Sequence, residues 1–117
     1  MYIETNKDII DLGNYFCKKS EEFTKVYKGD ISARDKVIIT LTGILNGSVY
    51  ISNNAVFNLQ GILTGNLYIN NAEANIHGTL NGNIHNSQGH VYVAGTVHGK
   101  IISDAKIEIS PNAKIDN

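Results

Sequence analysis

Apolar and polar residues alternate along most of this chain, and the alternation itself repeats. "GILNGSVYI" at residues 43–51 returns as "GILTGNLYI" at 61–69. The opening pentapeptide recurs as "GTLNG" at 78–82 and "GTVHG" at 95–99, giving spacings of 18, 17 and 17 residues. Self-similarity at a fixed period marks a stacked array. One period upstream, "KVYKGDIS" (25–32) reads as a degenerate first copy, with Lys25 for the opening Gly and Tyr27 for Leu45. Downstream, "SPNAKI", which holds Pro111, reads as a worn last copy. Terminal copies of an array differ from the rest because they meet solvent or a cap.

Aligned, the copies form columns. Leu45, Leu63, Leu80 and Val97 fall in one, and Val49, Leu67, Ile84 and Ile101 in another. Apolar pairs precede each opening glycine: Ile39/Leu41, Phe57/Leu59, Ala74/Ile76 and Val91/Val93. Within a copy these residues alternate with polar ones, the period of a strand with one buried face. Three short strands joined by tight corners fill each period. One such turn cannot bury its own apolar face, so turns must stack and like residues must pile on like. The pattern predicts an all-β fold, a right-handed triangular β-helix of about five rungs over residues 25–117. A left-handed hexapeptide solenoid is the alternative, since Leu45, Ile51, Phe57, Leu63 and Ile69 fall six apart. Asn75 and Asn81 break that hexad, and the 17-residue copies do not divide by six.

Residues 1–24 read differently. In "DIIDLGNYFCKK" (8–19), Ile9, Leu12, Gly13 and Phe16 stand at i, i+3, i+4 and i+7, one apolar helical stripe. Thr5 or Asn6 offers an N-cap, and Lys18 and Lys19 suit a helix C-terminus. The expectation is an N-terminal capping α-helix that packs Ile9, Leu12 and Phe16 over the open first rung, as covered sheet edges often are.

Composition narrows the function. Charged residues make up 18% of the chain and the formal net charge is −1. Between Gly43 and Gly99 the only acidic or basic residue is Glu73. A neutral wall argues against a nucleic-acid partner, whose binding rests on phosphate neutralisation. No apolar run approaches the ~18 residues of a membrane span, and the start lacks a signal-peptide pattern. One cysteine, Cys17, forms no internal disulfide, which suits a cytoplasmic setting.

The runs "GTLNGNIH", "AGTVHGKI" and "IEISPNAKI", with the apolar pair in "VYVAG" (91–95), resemble the bactofilins, bacterial cytoskeletal proteins. The resemblance covers roughly residues 25–115. It implies a right-handed triangular β-helix, nucleotide-free end-to-end polymerisation through apolar terminal rungs, and no catalytic residues or cofactors.

Candidate chemistry is sparse. His77, His85, His90 and His98 lack metal-ligand spacing and have no acidic neighbour in sequence, so they read as surface or corner residues, with an inter-chain metal as the alternative. Tyr50, Tyr68 and His85 share one outward column. This column is either a stacking ladder or an exposed aromatic strip for partner contact. Cys17 reads as a buried small hydrophobe. The expected function is a non-enzymatic bactofilin-like scaffold whose partner is itself. The runner-up is a capped solenoid binding one protein partner, such as a small immunity or adaptor protein. A third reading, an acyltransferase with an inter-subunit His base, requires the left-handed fold.

Overall fold

The computed structural model describes residues 9–105 and 107–116. The chain enters through β1 (Ile9–Cys17), β2 (Glu21–Phe23) and the long β3 (Val26–Ala33). Four regular turns follow, each of three strands. The first is β4 (Ile38–Leu41), β5 (Ile44–Asn46) and β6 (Val49–Ser52), and the second is β7 (Val56–Leu59), β8 (Ile62–Thr64) and β9 (Leu67–Asn70). The third is β10 (Glu73–Ile76), β11 (Thr79–Asn81) and β12 (Ile84–Ser87), and the fourth is β13 (His90–Val93), β14 (Thr96–His98) and β15 (Ile101–Ser103). A partial turn of β16 (Ile107–Ile109) and β17 (Lys114–Ile115) completes the described chain. Each strand pairs in parallel with its counterpart one turn away, and the β2 column is six strands deep. The protein is therefore a β-solenoid of about six turns, one more than the repeat count alone suggests. No helix is present among the described residues, and so none long and apolar enough to cross a membrane.

Period-2 patterning does what it predicts. Leu45, Leu63, Leu80 and Val97 stand in direct register, and all four are fully buried. Val49, Leu67 and Ile84 form a second buried file, and Phe57, Ala74 and Val91 a third. Burying each Leu or Ile in such a file contributes about 1.5–3 kcal/mol. None of these side chains could be buried by its own turn alone.

The glycine columns are a consequence of the stacking. Gly29, Gly47, Gly65, Gly82 and Gly99 follow one another down a corner, each backbone lying against the carbonyl of the one before. A Cβ on Gly65 would overlap the Gly47 carbonyl oxygen, and Gly65 also has φ +151°, where side chains are disfavoured. The adjoining position is polar for a different reason. The side-chain oxygens of Asp30, Ser48, Asn66 and Asn83 accept from the backbone N–H of Ser48, Asn66, Asn83 and Lys100, at 2.9, 3.3, 3.0 and 2.8 Å. Each side chain thus satisfies a corner donor of the next turn that would otherwise lack a ladder partner.

The change of period from 18 to 17 is made at one corner. Where β3 and β6 lead into β4 and β7, two residues take the left-handed conformation: Asp35 and Lys36, then Asn53 and Asn54. At the next two corners only Asn71 and then Gln88 do so. One left-handed residue is removed and every ladder keeps its register. Asn tolerates that backbone best among non-glycine residues, which accounts for the asparagines at the 52–54 and 70–72 corners.

The N-terminal segment corrects the expectation of a helix. Residues 9–17 form a strand, β1, paired in parallel with β3 from Ile9↔Val26 to Cys17↔Ala33. A bulge between Asp11 and Gly13 shifts the register, so Ile10, Tyr15 and Cys17 occupy core-side positions. Ile9 and Phe16 consequently face outward and are exposed, and Leu12 is half-buried in the bulge. They do not form a helical packing stripe. A free sheet edge offers each residue of an added strand a ladder hydrogen bond, whereas a Gly-interrupted helix offers one weak stripe. The proposed N-caps, Thr5 and Asn6, lie outside the described residues.

Candidate functional site

The strands β3, β6, β9, β12 and β15 build one side wall of the rod, and their central outward residues form a file. Registers place Phe16, Ser32, Tyr50, Tyr68, His85 and Ile102 one below another. Tyr50 and Tyr68 stack with ring centroids 4.7 Å apart and planes 6° from parallel, and Tyr68 stacks on His85 at 4.9 Å and 13°. The centroid spacing is the strand spacing, so rings in adjacent turns meet face to face.

The sequence therefore brings Tyr50, Tyr68 and His85 together as the expected column, and the structure extends it at both ends. Phe16 was assigned to a helix, yet it heads the file, with the Arg34 guanidinium 5.2 Å from its ring centroid. Ile102, 52% exposed, closes it. The signal for Ile102 was present in the repeat, 17 residues after His85. The signal for Phe16 was masked by the bulge.

Beside the aromatic file runs a track of small polar residues, Ser52, Asn70 and Ser87. The Asn66 amide donates to the Tyr68 hydroxyl at 3.1 Å, on the side of the file opposite the track. A shallow groove of about 760 Å³ results, lined by the ring edges on one side and the polar track on the other. Its one charged lining residue is Arg34, whose Nε lies 3.6 Å from the Asp35 carboxylate.

The other histidines are separate. His77 meets Tyr92 edge-on at 5.9 Å. His90 Nε2 lies 3.0 Å from Glu108, and His98 Nδ1 lies 3.7 Å from Asp116. These acidic partners come from the following turn and were invisible as sequence neighbours. Both pairs are exposed and weak. Among the described residues no three His, Cys, Asp or Glu side chains converge as a metal site would require.

Titratable chemistry concentrates at the N-terminal end. The Tyr15 hydroxyl donates to Glu21 at 2.6 Å. That bond, followed by burial and the Glu21 charge, pushes the Tyr15 phenol up to about 12. Burial, followed by the Glu21 charge, pushes the Cys17 thiol up to about 12. A thiol held neutral in this way, with no exposed surface, is a core residue and not a nucleophile.

Set against family models, curated proteins and solved structures, the chain matches none of them. Its surfaces must therefore carry the functional argument. Two are distinctive: the aromatic wall and the C-terminal end. At that end Ile107, Ile109 and Ile115 continue the columns of Val91, Val93 and Val97. The valines are fully buried, whereas Ile109 is 51% exposed and Ile115 36%.

Proposed function

We propose that this protein is a non-enzymatic scaffold of the bactofilin kind, a right-handed, three-sided β-helix that joins further copies of itself through the ends of the rod. The observation that carries this reading is the C-terminal end. On β16 and β17 its core-side residues are isoleucines in direct register with buried files, and β15, β16 and β17 are the last members of their ladders among the described residues. A second rod placed there would extend both the hydrogen-bond ladders and the apolar files, so two terms that already hold the turns together would hold two chains together. A reducing cytoplasm suits a chain with one buried cysteine.

Sizing across a range of concentrations, with negative-stain microscopy, tests this. Ile109→Lys adds a charge at the end face without disturbing a buried site, and assemblies should shorten or vanish while the melting temperature stays within a few degrees. A wild-type chain that remains monomeric at every concentration defeats the scaffold reading. The N-terminal end, where Tyr15 donates to the inward Glu21 carboxylate, favours a second reading, a solenoid closed at one end that binds a single protein partner. One stoichiometric partner in a pull-down, without self-assembly, would select it.

A further inference from the structure

We infer that Asn81 is a site of spontaneous backbone modification in the folded rod, a deamidation gated by the lifting of the C-terminal turns. It needs no second copy of the chain, so it stands or falls separately from the proposed end-to-end contact.

The chain holds two Asn–Gly pairs, Asn46–Gly47 and Asn81–Gly82. Both occupy the same place in the repeat, where β5 and β11 run into the glycine corner. Both asparagine side chains are exposed. Such a pair closes a ring on itself. The Gly amide nitrogen bonds to the Asn Cγ, the bond from Cγ to the side-chain nitrogen breaks, and that nitrogen leaves as ammonia with the Gly amide proton. Water then opens the resulting succinimide at either carbonyl, giving aspartate or isoaspartate. Glycine permits closure because no Cβ crowds its nitrogen.

In the rod the ladder shuts this reaction. The Gly47 N–H donates to the Thr64 carbonyl at 2.9 Å, and the Gly82 N–H donates to the His98 carbonyl at 3.1 Å. While that bond lasts, the nitrogen is held within the wall and the asparagine side chain points out of it. In both cases the acceptor lies one turn toward the C-terminus. Opening from the N-terminal end therefore frees neither nitrogen. Opening from the C-terminal end frees Gly82 as soon as β14 lifts, whereas Gly47 waits until β14, β11 and β8 have all lifted. The two sites share one chemistry at two depths.

The C-terminal turns are the ones placed to lift. Only Lys114 and Ile115 of β17 cover β14, and both are exposed. Ile101 and Ile107 are half-buried, against full burial of Leu45, Leu63 and Leu80. Segments with little buried apolar contact open at the lowest free energy, so β14 opens far more often than β8. The two products differ in consequence. Aspartate at 81 keeps the backbone intact on an exposed position. Isoaspartate lengthens the main chain by one methylene beside Gly82, whose backbone lies against the Gly65 carbonyl, and so costs the corner its register.

Peptide mapping by mass spectrometry after incubation in mildly alkaline buffer is the test, with the full chain folded and, separately, in urea. In urea the two sites should react at similar rates. In the folded chain Asn81 should react at least about tenfold faster than Asn46. Ile115→Ala, which weakens the hold on β14, should speed Asn81 severalfold and leave Asn46 unchanged. The inference is overturned if the two folded sites react equally, if neither reacts while both react in urea, or if Ile115→Ala leaves the Asn81 rate unaltered. The loss of register is overturned if the isoaspartate fraction melts with the unmodified chain.

Discussion

Among the described residues, core-side positions of the outermost strands at the N-terminal end of the rod are taken by Ile10, Tyr15, Cys17, Glu21 and Phe23; at the C-terminal end they are taken by Ile101, Ser103, Ile107, Ile109 and Ile115. Both ends face the same problem, since the last turn of a solenoid has no neighbour to cover its apolar side. The N-terminal end meets it internally. Phe23 packs edge-on between Tyr15 and Tyr27, at 6.0 and 5.4 Å. The Tyr27 hydroxyl accepts from the N–H groups of Thr24 and Lys25, and Tyr15 donates to Glu21. Aromatic bodies fill the hole while their polar tips satisfy the rim. An inward carboxylate and a bulge then discourage another strand from adding. Among the described residues the C-terminal end has four isoleucines and Ser103 at those positions and no inward charge, so its edge remains open to another strand. The difference teaches that one repeat can be ended by polar chemistry or left competent for pairing, without changing the fold between.

Substitutions can break this comparison, and the largest effect belongs to the stacking that both ends share. Gly65→Ala, in mid-rod, places a methyl on the Gly47 carbonyl and should cost about 3 kcal/mol or more in urea unfolding. Gly13→Ala, at the N-terminal edge, meets nothing within 4 Å and has only its φ of +62° to accommodate, so about 1 kcal/mol is expected. Equal losses would mean that the glycine columns are not contacts between turns.

Core truncation should give the next largest contrast. Leu63→Ala should cost about 2–5 kcal/mol, whereas Ile115→Ala, at the open end, should cost under about 1 kcal/mol in the dispersed chain. Raising protein concentration should increase the second cost if the end is covered by another copy.

The N-terminal plug should then show in the alkaline limb. Tyr15 and Cys17 both have native pKa values raised to about 12, from ordinary values of 10 and 9. Between those values the unfolded chain has already lost protons that the folded chain keeps. Their contribution is complete below about pH 9 and is lost as pH climbs toward 12. Tyr15→Phe should remove about 1 kcal/mol at neutral pH and flatten the fall above pH 10, leaving the Cys17 portion. An unchanged limb in a Tyr15→Phe, Cys17→Ala double variant would show that the plug does not titrate with folding.

Smallest of all is the His90–Glu108 pair. Glu108→Gln should lower stability by under about 0.5 kcal/mol in urea unfolding, because both side chains are exposed.

Much of the architecture was legible because the repeat is strict where it matters. The column Leu45, Leu63, Leu80 and Val97 could be read directly, since parallel in-register stacking turns a sequence period into a spatial file. The Tyr50, Tyr68 and His85 ladder followed by the same rule. Asn86 did not. It stands in the inward column of Ile51 and Ile69 and is the one buried polar residue among those described, bonded to Gly89 and Ser103. It replaces an apolar contact by bracing a corner, and no periodicity announces that. Gly13 was the neglected signal for β1. It pairs with Gly29 and so belongs to the glycine column, although in sequence it looked like a weak point in a helix.

The sequence by itself determined the strand period, the residues that point inward and the files they form, because each depends on alternation and on a fixed turn length. Tertiary structure alone decided the fate of residues 9–17. Their helical spacing is produced by a single bulged residue, and only the presence of an unpaired edge on β3 makes a strand the better partner. It also decided how each end closes, because the company a terminal side chain keeps is set by the turn next to it and by whatever lies beyond.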